Sequence, residues 1–229
     1  GGGERAKVMV RLAKPRVLIP VFPGTNGEYD TIAAFRSAGG LVETLVIKDL
    51  SPREIGESLR ELTKMIGQAQ ILVLPGGFSA GDGTAGSAEF MAAFFRNPMV
   101  KEALTGFLQK GDGLVLGIGT GFQALLKLGL LPYGEIREAG EDSPALAVNA
   151  SGRHVSRFVR VKVVANHSPW LRRTNPGEVY SLPVSHSEGR FIARPADLER
   201  FFKNAQIVTV YVDLEGVPPL DPPYNPNGS

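Results

Sequence analysis

Val115-Leu116-Gly117-Ile118-Gly119-Thr120-Gly121-Phe122-Gln123 is the stretch that decides the fold of this chain. Leu114 to Ile118 is apolar and β-type, whereas the residues after Gly121 are helix-type and include Gln123 and Lys127. A buried strand that turns on glycines straight into a helix is the building unit of a parallel α/β sheet. The run from Gly113 to Leu131 approaches the length of a membrane span. Its five glycines, Gln123, Lys127 and its midway change of residue type read instead as a strand followed by a helix.

Working outward, the same alternation recurs. Val17 to Phe22 is a continuous apolar strand, followed by the turn cluster Pro23-Gly24-Thr25-Asn26-Gly27 and a helical stripe through Ile32, Ala33, Phe35 and Ala38. Leu41 to Ile47 is a second strand. Ser51-Pro52-Arg53-Glu54 has the cap, the first-turn proline and the acidic partner of a helix start, and the helix should run to Ile66. Gln70 to Leu74 is a third strand, and residues 85–95 and 98–108 read as helices. Past Ala145 the pattern changes: 146–149, 157–164 and 178–184 read as antiparallel additions, 196–202 as a short helix and 207–212 as a last strand. The fold class is α/β, an open flavodoxin-like sheet, mostly parallel, with helices on both faces. Residues 1–14 are expected to be a leader or interdomain linker, and 15–229 one domain.

Composition excludes several classes. The 229 residues are 43% hydrophobic and 21% charged, ordinary for one globular domain. A net charge of +2 gives no case for nucleic acid or a membrane as partner. The absence of cysteine excludes disulfides and thiolate metal sites, and the three dispersed histidines give no metal-ligand spacing. The expected location is the cytoplasm.

In open α/β sheets ligands bind beyond the carboxyl ends of the strands. Two glycine-rich turns fall there, Pro75-Gly76-Gly77-Phe78-Ser79 and Gly117-Ile118-Gly119-Thr120-Gly121. Glycine, any residue, nucleophile, any residue, glycine between strand and helix is a nucleophile elbow. The nucleophile position here, 119, is glycine. Thr120 is one residue off and should point elsewhere. Taken alone, the turn reads equally as a phosphate-binding junction, although no Walker lysine follows Gly81 or Gly121.

Taken together, the elbow, the Gly76–Ser79 loop and Ser185-His186-Ser187-Glu188-Gly189-Arg190-Phe191 resemble class I glutamine amidotransferases, in the family's chain order. Phe22-Pro23-Gly24-Thr25-Asn26-Gly27-Glu28-Tyr29-Asp30, Gly76 to Asp82, Gly121-Phe122-Gln123 and Asn225-Pro226-Asn227-Gly228-Ser229 narrow the resemblance to the glutaminase domains of phosphoribosylformylglycinamidine synthases. The resemblance implies acyl transfer from glutamine, with cysteine at the position of Gly119, His186 as base and Glu188 as its orienter. It gives Gly77 and Thr120 as oxyanion donors, Gly76, Phe78 and Ser79 as pocket loop, and Gln123 as a neighbour of the glutamine. His154 and His167 lack such context and are taken as structural. No cofactor is implied in this domain; ATP and magnesium would belong to a synthetase domain or subunit, the partner that receives the ammonia.

Gly119, Gly27 and Ser187 depart from the family pattern, as does a chain that stops before the family's final strand. The first departure implies loss of glutaminase activity. Two alternatives stand beside it: a non-catalytic glutamine-binding or docking module, and another hydrolase on the same scaffold.

Overall fold

The computed structural model describes residues 14–77, 83–110, 113–219 and 223–229. Strands β1 (Arg16–Val21), β2 (Leu41–Val46), β3 (Ile71–Leu74) and β4 (Leu114–Gly117) form a parallel sheet in the order β2-β1-β3-β4. Helices α1 (Glu28–Ser37), α2 (Pro52–Ile66), α3 (Gly83–Arg96) and α4 (Pro98–Gln109) supply the crossovers, and α5 (Thr120–Leu128) follows β4.

The apolar runs of β1 and β3 are buried because both faces of the sheet are covered. Leu18 belongs to one buried core with Leu62 and Ile66 of α2, Met91 and Phe95 of α3, Leu104 of α4 and Leu128 of α5. Its neighbours Val17 and Ile19 point the other way, towards Ile32 and Phe35 of α1. This alternation along β1 places α2 to α5 on one face and α1 on the other. Helix α2 begins as its sequence requires: Ser51 Oγ accepts from the Glu54 N–H at 3.3 Å and donates to Glu54 Oε2 at 3.0 Å. Among the described residues, no helix is long and apolar enough to cross a membrane. The apolar run around the elbow is β4 and α5.

The later strands pair among themselves rather than on the parallel sheet. β5 (Ala145–Ala147) pairs antiparallel with β8 (Arg190–Ile192), and β6 (Val155–Val163) lies between β7 (Val179–His186) and β9 (Thr209–Val212). Two α-helices, the short α6 (Leu130–Tyr133) and α7 (Pro195–Lys203), and a 3-10 turn at Pro169–Leu171 complete the described elements.

Candidate active site

The elbow is built by the end of β4. Ile118 N–H continues the sheet ladder to Leu74 O at 3.0 Å, and Gly121 N–H already turns back to Ile118 O at 2.9 Å. So tight a reversal leaves no room for side chains on the flanking glycines. A Cβ on Gly121 would lie 2.0 Å from Leu74 O, and one on Gly117 would lie 2.7 Å from Gly121 O.

Gly119, between them, differs. Its φ of 54° and ψ of −113° are a strained conformation for an L-residue. Yet among the described residues a Cβ there would meet only Gly76 Cα, at the ordinary contact distance of 3.7 Å. Position 119 is thus clear of the described residues, at the N-terminus of α5 where backbone N–H groups and the helix dipole favour negative charge.

The Gly76–Gly77 loop and the turn after β1 meet at the same place. Gly76 O accepts from the N–H groups of Asn26 and Gly27, each at 3.2 Å. Gly77 has a φ of 148°, and a Cβ on it would lie 2.5 Å from Asn26 N. Thr120 Oγ1 donates to Gly77 O at 2.7 Å and is almost fully buried. Its hydroxyl therefore faces away from nucleophile duty and ties the loop to the elbow. Phe78 and Ser79 lie outside the described residues.

The remaining site residues form two further groups. Gln123, buried on α5, donates from Nε2 to Glu188 Oε2 at 3.1 Å. The two side chains line a cleft of about 240 Å³ with residues 139–141 and 143–146. His186, at the end of β7, is held instead by Asn149, whose Oδ1 lies 3.1 Å from His186 Nδ1. Among the described residues no hydrogen bond joins His186 to Glu188 or to the elbow. The expected dyad of His186 and Glu188 is replaced by His186–Asn149 and Glu188–Gln123. The turn into β8 explains this: Gly189 N–H also donates to Asn149 Oδ1, at 3.0 Å, so the amide occupies the Nδ1 side of the ring. Burial pushes His186 below the ordinary imidazole value, and the nearby His154 adds to this; a smaller backbone hydrogen bond opposes it.

Sequence reasoning missed Asn149 and read Asn225 to Ser229 only as a family mark. Asn227, nearly fully buried, donates from Nδ2 to Gly189 O at 2.8 Å and accepts on its own carbonyl from Ala150 N–H at 2.9 Å. Asparagine inside an otherwise apolar or turn-forming stretch was the available signal. Among the described residues no group of acidic, histidine or cysteine side chains could hold a metal ion.

The family model of the CobB/CobQ-like glutamine amidotransferase domain matches residues 14–229. Phosphoribosylformylglycinamidine synthase subunit PurQ of Aquifex aeolicus is 34% identical over 209 residues, covering 91% of this chain and 78% of that one. The subunit of the same name from Symbiobacterium thermophilum is 35% identical, covering 92% and 76%. A solved structure, PurLQS from Thermotoga maritima, superposes with a TM-score of 0.60 over 88% of this chain and 76% of that one, and at 24% identity it speaks for the fold. The flavodoxin-like arrangement, the elbow geometry and these matches together place the chain in the glutamine amidotransferase family that includes the PurQ subunits of phosphoribosylformylglycinamidine synthase.

Proposed function

We propose that the chain is the glutaminase component of a phosphoribosylformylglycinamidine synthase with its nucleophile position vacated. The observation that carries this is Gly119: it sits at the nucleophile position of the elbow, and among the described residues the nearest atom to where a Cβ would stand is Gly76 Cα at 3.7 Å. In the reaction of such a site, a thiolate at 119 attacks the side-chain amide of glutamine. Gly77 and Thr120 N–H groups would receive the oxyanion, and His186 would pass the proton to the leaving ammonia. The ammonia serves ATP-dependent amidine formation in a synthetase partner, to which ATP and magnesium belong. This reading puts the chain in the cytoplasm.

Without the nucleophile, turnover falls by about 10⁴- to 10⁶-fold. Glutamate release from glutamine, assayed with a synthetase partner added, is expected to be absent for the chain and present for Gly119→Cys. Because His186 is held by a neutral amide rather than by Glu188, the restored rate should fall short of a complete triad. Release by the unmodified chain at an ordinary glutaminase rate would contradict the reading. A second reading, a glutamine-binding module that docks without catalysis, draws on the same vacancy at 119 beside Gly76 and Gly77. Calorimetric binding of glutamine, with no release even from Gly119→Cys, would favour it.

A further inference from the structure

Asn149 is 3% exposed, and all its polar groups are bonded. Its backbone N–H donates to Ser187 O at 2.9 Å, and its carbonyl accepts from Gly152 N–H at 2.8 Å. Side-chain Nδ2 donates to Arg153 O at 2.9 Å and to His186 O at 3.0 Å. Oδ1 accepts from Gly189 N–H at 3.0 Å and faces His186 Nδ1 at 3.1 Å.

The amide can sit only one way. Turned over, it would set its oxygen against two carbonyls and its NH₂ against a backbone N–H. Since Oδ1 has no proton to give, His186 Nδ1 must carry the one between them. A neutral imidazole has a single N–H, so Nε2 is left with a bare lone pair. That nitrogen is buried and has no hydrogen-bond partner among the described residues. The ring is confined from the side as well, because a Cβ on Gly189 would lie 2.6 Å from it.

We propose that Asn149 is a positioning residue: it locks His186 as the Nδ1–H tautomer and so presents Nε2 as an acceptor for an N–H donor of a bound amino acid, either its side-chain amide or its α-ammonium. The tautomer follows from the hydrogen bonds alone. The ligand assignment rests on the proposed function.

Long-range ¹H–¹⁵N correlation spectra of the labelled protein, recorded above the ordinary imidazole pKa, read the tautomer directly. The three histidines of the chain are told apart with His186→Gln. The expected spectrum has a protonated Nδ1 and a bare Nε2 on His186. Asn149→Ala should release the ring to the Nε2–H form that free histidine favours. Asn227→Ala, which loosens the same turn without touching the ring, should leave Nδ1–H in place. A wild-type ring carrying its proton on Nε2, or a tautomer unchanged in folded Asn149→Ala, would overturn the proposal. If that variant does not fold, the wild-type spectrum alone decides. Added glutamine should shift the Nε2 resonance. Glutamine that binds by calorimetry yet leaves Nε2 unmoved overturns the ligand half, whereas glutamine that does not bind at all counts against the proposed function itself.

Discussion

At the scale of single residues, the site is governed by which glycines are compulsory and which is not. Gly117 and Gly121 are compulsory, since backbone lies within 2.7 Å of where their side chains would start. Gly121→Ala should therefore destabilise the protein by about 3 kcal/mol or more, read as a large loss in denaturant midpoint. Gly119→Cys should behave differently. Its strained φ and ψ cost roughly 1–3 kcal/mol, partly offset by the smaller entropy of the unfolded chain, about 0.4–1 kcal/mol. A folded variant, about 1–2 kcal/mol less stable, is expected; an unfolded one would mean the space at 119 is not open. His186 adds a pH dependence. Burial lowers its pKa from 6.5 in the folded state, so there the unfolded chain binds more protons. The stability this confers is complete above about pH 6.5 and is lost as pH falls through the depressed folded value. Denaturant midpoints between pH 7 and 5 should decline in the wild type and decline less in His186→Gln. Glu89, held low chiefly by its hydrogen bond to Arg96, acts in the same direction, within the carboxylate range.

At the scale of elements, the unit is β4, its turn and α5, clamped to the Gly76–Gly77 loop. The clamp is the Thr120 hydroxyl on Gly77 O. Thr120→Val keeps the shape and leaves that carbonyl without its partner, which should cost about 1–3 kcal/mol by thermal or chemical denaturation. Much of this level was legible in the sequence. Strand 17–22 was expected and Arg16–Val21 is found; the helix from Ser51 to Ile66 runs over Pro52–Ile66 with its cap in place. Buried parallel strands announce themselves as continuous apolar runs, and caps by residue type. The strands after 145 were recognised as antiparallel additions, but their partners were not, because a short apolar run does not say which strand it will meet. The three-residue β8 and its pairing with β5 had no signal of their own. His186 and Glu188 were paired by the family resemblance. Two residues apart around a turn, they bond to Asn149 and Gln123, side chains that lie far from them in the sequence.

For the whole molecule, the parallel sheet brings three separated sequence motifs to one end: the Asn26–Gly27 turn after β1, the Gly76–Gly77 loop after β3 and the elbow after β4. That convergence beyond the strand ends is what an open α/β sheet provides. The central claim is that position 119 of this assembly is a glutamine-facing nucleophile position. The most direct test is the rate at which Gly119→Cys is alkylated by an electrophilic glutamine analogue, followed by mass spectrometry. The chain has no other cysteine to react. The account predicts saturable labelling, faster than a free thiol because the helix N-terminus favours the thiolate, and slowed by added glutamine. Labelling that is linear in reagent, no faster than a free thiol and indifferent to glutamine would contradict it.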